Sequence, residues 1–234
     1  MVPKTTEIPA KNPTSLLETT LNTRELGGYK TSKGSYTKYN TLLRSDEITS
    51  PHEWDIAFLQ SIGITRIIDM RSKKECTVSP SPFPSMKQFQ YYHIPIEEGS
   101  RIPASPADVP HSYMRIAGAK NMPEVFRHIA MGEGGTLFHC RAGKDRTGVV
   151  AAILLLSASV GWQDIVADYM LTKEYNQKRF QKIQKRYPRI SADAIIPREE
   201  YITGFLTMFL AKYGSAGQYF QEIGIENYHN NLLP

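Results

Sequence analysis

An apolar run without polar alternation, Thr136-Leu-Phe-His-Cys140, meets a second apolar run, Val149 to Ala158, through a loop whose residues 139–148 read HCRAGKDRTG. The first run has the length of a strand and no water-facing side. A strand covered on both faces implies a mostly parallel sheet with helices packed on it. The second run predicts one such helix, Thr147 to Val160. A loop from the end of a buried strand to a helix start presents backbone N–H groups, and the helix end adds partial positive charge. This segment therefore predicts both an α/β fold and an anion site.

The rest of the 234-residue chain fits one domain of that class. Residues 1–20, rich in Pro, Thr, Lys and Glu, read as a loose leader, and residues 21–234 as the domain. Gly27-Gly28 marks a turn, and Tyr29 to Ser45 predicts a hairpin turning at Ser32 to Ser35, at one edge of the sheet. Ser50 reads as an N-cap with Pro51 at the first helical position. Gly63 ends that helix, and Ile64 to Met70 is a strand. Gln90 to Ile96 is another strand, and Glu97 to Pro110 a polar, Pro-rich connection. Ser112 to Met131 is helical with a break near Pro123. Helices are also predicted for Gln163 to Tyr175, for the cationic stretch Lys173 to Arg189, and from Pro197 to a cap at Gly214. The expected architecture is a single α/β domain with a central, mostly parallel sheet of four or five strands flanked by helices.

The loop's side chains suit phosphate chemistry. Gly143 lets successive N–H groups converge on an anion. Arg146, six residues after Cys140, can fork two phosphate oxygens. A thiol beside cations over a helix N-terminus is expected as a thiolate, so Cys140 is the candidate nucleophile. Thr147 can donate its hydroxyl to the departing sulfur. His139 is expected to hold the loop through its ring nitrogens and not to act as a base. Ala142, Gly143, Lys144, Asp145 and Arg146 complete the phosphate-binding set with Arg141.

Cys-x5-Arg followed by Thr resembles the signature of the cysteine-dependent protein tyrosine and dual-specificity phosphatases. HCRAGKDRTG is similar to the bacterial branch carrying HCxxGKDRTG, which includes tyrosine and phosphoinositide phosphatases. The stretches NTRELGGY, LLRSDEI, IGITRIIDMRSKKE, GVVAAILL, IVADYMLTKEY and KYGSAGQYFQEIGI resemble that branch in the same order, over residues 21–226. The resemblance implies phosphomonoester hydrolysis through a cysteinyl-phosphate, with no cofactor, on a phosphorylated protein or an inositol lipid. It implies a general acid within the loop, Asp145. Asp69, at the end of a strand beside that of Cys140, competes for the role; its alternative is a structural carboxylate paired with Arg71. Asp108 in the Pro-rich connection is a third candidate. Basic residues at the second and fifth loop positions, here Arg141 and Lys144, resemble those of enzymes acting on 3-phosphoinositides. Arg24, Arg44 and Arg71 match positions that brace loops in the family.

Other readings fit less well. A Walker A loop would need Gly at position 138 and Ser or Thr at 145, where the chain has Phe and Asp. A rhodanese-type sulfur carrier lacks this Cys-to-Arg spacing. An inactive phosphate reader usually loses the Cys or the Arg, and both are present. Two cysteines, Cys76 and Cys140, make no disulfide framework and no zinc site. Cys76 reads as a bystander or, less simply, a partner that could bridge to Cys140. The six histidines have no metal-ligand spacing. Net charge is +5 with a pI of about 9.1, which favours anionic ligands. No nucleic-acid partner is expected. The stretch KRFQKIQKRYPR could cover the site as a lid, touch acidic membrane, or be a solvated face. The run Val149 to Ala158 is too short to span a bilayer. No signal peptide is visible, so the expected setting is cytoplasmic or secreted, and a monomer is expected.

Overall fold

A computed structural model of the chain describes residues 15–131, 133–188, 191–225 and 232–233. Five strands, Arg24–Glu25 (β1), Leu42–Ser45 (β2), Ile64–Asp69 (β3), Gln90–His93 (β4) and Gly135–His139 (β5), form one sheet in the order β1-β2-β5-β3-β4. The pair β1–β2 is antiparallel and lies at one edge; the other neighbours run parallel. The helices are Glu53–Ser61 (α1), Lys73–Val78 (α2), Asp108–Ala117 (α3), Met122–Ala130 (α4), Asp145–Ser157 (α5), Trp162–Tyr175 (α6), Gln177–Arg186 (α7), Ala192–Ile195 (α8), Glu199–Tyr213 (α9) and Ala216–Glu222 (α10). The single α/β domain with helices on both sides is the one the sequence predicts.

The central strands lack polar alternation because both sheet faces are cores. Leu43, Ile67 and Leu137 join one apolar cluster with Leu17, Leu59 and Phe83. Their chain neighbours Leu42, Ile68 and Phe138 join the other, under α3, α5, α9 and α10. Alternating side chains of one strand thus enter opposite cores. Helix α5 is buried at ten of its thirteen positions, which explains a run without a polar face.

Several boundaries differ from the sequence reading. The leader is outside the described residues up to residue 14, but residues 15–20 are not loose. Leu17 is buried, and Asp55 accepts from Glu18 N and the Thr19 hydroxyl. The same Asp55 carboxylate takes the His52 N–H, so the N-cap is His52 and not Ser50. The hairpin shrinks to one bridge, Lys30 with Tyr36, because Leu42–Ser45 is captured by β5. The helical stretch around Pro123 splits at residues 118–121, with Pro123 in the first turn of α4. Helix α5 begins two residues early, which brings Asp145 and Arg146 into its first turn.

Register decides where the chemistry collects. Ser45, His139, Asp69 and His93 pair across four parallel strands, so these strands end level. The loop after His139 opens at that carboxyl edge, where open α/β sheets place their ligands.

Candidate active site

Cys140 follows the last residue of β5 and is almost fully buried, with α5 starting five residues later. The carbonyl oxygens of residues 141–143 are held from outside the loop. His139 Nδ1 lies 3.2 Å from the Cys140 carbonyl. The Arg141 carbonyl accepts from Glu47 N at 3.2 Å and from Arg179. The Ala142 carbonyl accepts from Asn22 Nδ2 at 3.1 Å and Asn176 Nδ2 at 2.7 Å. The Gly143 carbonyl accepts from Asn22 Nδ2 at 3.1 Å and Arg44 Nη2 at 2.8 Å. The Lys144 carbonyl accepts from Gly148 N inside α5. In a trans peptide the N–H points opposite the C=O, so carbonyls drawn outward leave N–H groups facing inward. Gly143 has φ of 64°, and a Cβ there would meet the Ser45 carbonyl at 2.7 Å. The turn needs glycine for both reasons.

Arg146 is buried and aimed by a fork. Its Nη1 and Nη2 donate to Glu75 at 2.7 and 2.9 Å, and Nη1 also reaches the Met70 carbonyl at 3.2 Å. Its Nε is buried and has no hydrogen-bond partner among the described residues. Burial works against the guanidinium charge, but the Cys140 sulfur and Glu75 outweigh it and hold the pKa above the ordinary value. Glu75 itself is held by a capping box, accepting from Ser72 N at 2.7 Å while Ser72 caps α2. Burial pushes its carboxyl up, yet Arg146 brings it below the usual range.

The two competing aspartates occupy different settings. Asp69 is fully buried and accepts from Arg71 through both Nε and Nη2, the latter at 2.7 Å. Burial pushes its carboxyl up, and His139 with the Arg71 fork pulls it far lower in net. Asp69 is thus sealed in an ion pair with Arg71, the geometry that its structural alternative requires. Asp145 keeps about 29% of its side chain exposed. Its Oδ1 accepts from Tyr113 Oη at 2.8 Å and lies 3.3 Å from Lys144 Nζ. Tyr113 Oη is also 2.7 Å from Tyr169 Oη. Asp108 accepts from the Ser105 hydroxyl at the start of α3.

The remaining predicted residues are dispersed. The Thr147 hydroxyl is fully buried, 3.5 Å from the Ser45 carbonyl, a long bond. Arg141 is exposed. Lys144 is buried, its Nζ donating to the Ile195 carbonyl of α8 at 2.7 Å. Burial drives the His139 ring towards its neutral form. Cys76 Sγ lies 3.4 Å from His93 Nε2, and burial pushes its thiol up to about 11. Both cysteines are free.

A sequence model described as the tyrosine phosphatase family matches residues 16–233. The chain belongs to that family. A protein of Cupriavidus necator named as a tyrosine-protein phosphatase is 30% identical over 88% of this chain and 82% of its own length. The triple specificity protein phosphatase PtpB of Mycobacterium tuberculosis is 25% identical over 79% of this chain and 86% of its own. A tyrosine-protein phosphatase of Nostoc commune is 31% identical over 50% of this chain and 43% of its own. The structure of Pseudomonas aeruginosa TpbA is similar at a TM-score of 0.38 and 16% identity, covering 74% of this chain and 89% of that one.

Several residues of this phosphatase escaped the sequence reading. Asn22 and Asn176 tether the loop from 120 and 34 positions away. Asp168 pairs with both Arg24 and Arg44 in the buried brace behind it. Glu75 had a visible signal, the Ser-x-x-Glu capping pattern of Ser72 to Glu75, but that pattern says nothing of Arg146.

Proposed function

We propose that this tyrosine phosphatase hydrolyses phosphotyrosine and phosphoinositides through a cysteinyl-phosphate on Cys140. The observation that carries the reading is a loop next to Cys140 whose carbonyls at residues 141–143 are drawn outward, beside an Arg146 Nε with no hydrogen-bond partner among the described residues. A phosphate seated there would take the inward N–H groups and that donor. The Cys140 thiolate attacks phosphorus, forming a P–S bond as the bond to the leaving oxygen breaks. The carboxyl of Asp145 gives that oxygen its proton. Asp145 then takes a proton from the water that attacks the phosphocysteine, and the P–S bond breaks. Thr147 gains a better acceptor in the departing sulfur than the carbonyl it faces at 3.5 Å. Asp145 is favoured as the acid because it is partly exposed, while Asp69 is sealed under Arg71.

The phosphoinositide part rests on Arg141 and Lys144, extra cations for extra phosphates. One contact favours the narrower reading, phosphotyrosine alone: Lys144 Nζ is engaged by Ile195 and Asp145. Arg141→Ala with Lys144→Ala separates the two. Steady-state kinetics should give a loss in kcat/KM of about tenfold or more on an inositol lipid, against about threefold or less on a phosphotyrosine peptide. Equal losses would leave phosphotyrosine as the substrate.

A further inference from the structure

The sequence singled out a cationic stretch that the catalytic reading does not use. Residues 177–188 hold five cations and no acid. In α7, Lys178, Lys182 and Lys185 stand at helical spacings of four and three, with Arg186 next to the last, and all four are exposed. The opposite side is anchored by Phe180, which is buried. Tyr187 closes the helix, about half exposed, with the Arg186 guanidinium over its ring.

The helix adjoins the catalytic loop through other side chains. Asn176, at the junction of α6 and α7, donates to the Ala142 carbonyl. Arg179 donates to the Arg141 carbonyl and to Asp46 Oδ2. On another side of the loop, Gly99 lies against Arg146, and three residues on Ile102 is about half exposed. Two segments that touch the loop thus each carry an exposed apolar side chain, Tyr187 at the end of α7 and Ile102 three residues after Gly99.

We infer that α7 is a docking surface for an anionic lipid bilayer, which holds the mouth of the Cys140 loop against the membrane. Charge complementarity selects the partner class: cations near an anionic bilayer each add attraction that salt screens. Tyr187 and Ile102 distinguish a bilayer from a purely polyanionic partner, since an amphipathic ring and an aliphatic tip suit the boundary between headgroups and chains. The inference extends the inositol-lipid reading but does not need it, because binding can be read without turnover.

The test is sedimentation of Cys140→Ser protein with vesicles of phosphatidylcholine containing about one third phosphatidylserine, and with phosphatidylcholine alone. The expected result is binding at least about tenfold tighter to the anionic vesicles, weakening as salt rises. The variant K178E/K182E/K185E/R186E, made in the active protein, should keep wild-type turnover of p-nitrophenyl phosphate, which certifies its fold. Its affinity for anionic vesicles should fall at least about tenfold. Equal binding to neutral and anionic vesicles would overturn the proposal, as would no binding by the wild type. Unchanged binding by a variant with normal turnover would do the same. If the variant loses turnover, the salt dependence of the wild type decides: vesicle binding insensitive to salt overturns the proposal.

Discussion

Asp69 and Asp145 lie at the same end of the sheet, and their surroundings give them separate work. Arg71 covers Asp69 with three donors, its backbone N–H, Nε and Nη2, and the Tyr91 hydroxyl donates to Oδ2 as well, so both carboxylate oxygens are engaged. Asp145 accepts from Tyr113, lies beside Lys144 and keeps part of its surface open. Asp145→Asn should lower kcat on a phosphotyrosine peptide by about a hundredfold, since a phenolate needs a proton. On p-nitrophenyl phosphate, whose phenolate leaves unaided, the loss should be far smaller. A loss independent of the leaving group would remove Asp145 from the proton-transfer role. The contrast between the two aspartates was hidden in the sequence because both follow strands or loops rich in basic residues. Only depth separates them, and depth is set by the packing of β3 between β4 and β5.

At the scale of elements, the loop is shaped by its outer supports together with the one glycine that lets it fit between them. Gly143→Ala tests this, because a Cβ would press on the Ser45 carbonyl and Asn22 at a positive φ. The expected cost is about 1–3 kcal/mol of stability by denaturant unfolding, with binding of vanadate or tungstate weakened in parallel. A neutral substitution would mean the loop does not need this conformation. The edge strand β1 offers a second test. Glu25 Oε1 accepts from Asn40 N at 3.0 Å, and Oε2 is buried with no well-formed hydrogen bond among the described residues. Burial raises its pKa to about 7, against the pull of the Asn40 and Gly27 N–H groups. A carboxyl raised on folding contributes stability fully below its ordinary pKa, and this contribution is lost as pH rises through about 7. Glu25→Gln should therefore be more stable than wild type by about 1–3 kcal/mol at about pH 8.5, and no more stable at about pH 4. The same difference at both pH values would contradict the assignment. The strand–loop–helix unit was legible in residues 136–158 because its apolar pattern is local. Asn22, Asn176 and Glu75 were not, since each acts across a turn of the fold that no local spacing encodes.

On the scale of the molecule, the parallel strands converge on one level, and that level organises the charge. Arg24 and Arg44 share Asp168, Arg71 pairs with Asp69, and Arg146 with Glu75, so the buried guanidinium groups around the loop each have a carboxylate partner. This pairing holds the guanidinium groups in place, and the Arg146 Nε has no hydrogen-bond partner among the described residues. The family and the fold class were readable from the sequence because the loop of residues 139–148, its flanking apolar runs and the stretches in order around them are local patterns. The cationic α7 was readable as a charge pattern, but its attachment to the catalytic loop through Arg179 and Asn176 needed the fold. The central claim, a sulfur nucleophile seated in an anion-binding loop, is tested most directly by acid quenching during turnover of a phosphotyrosine peptide. Mass spectrometry of the digested protein should find a phosphoryl adduct on Cys140, absent from Cys140→Ser. Steady turnover with no adduct, or an adduct on a different side chain, would contradict it.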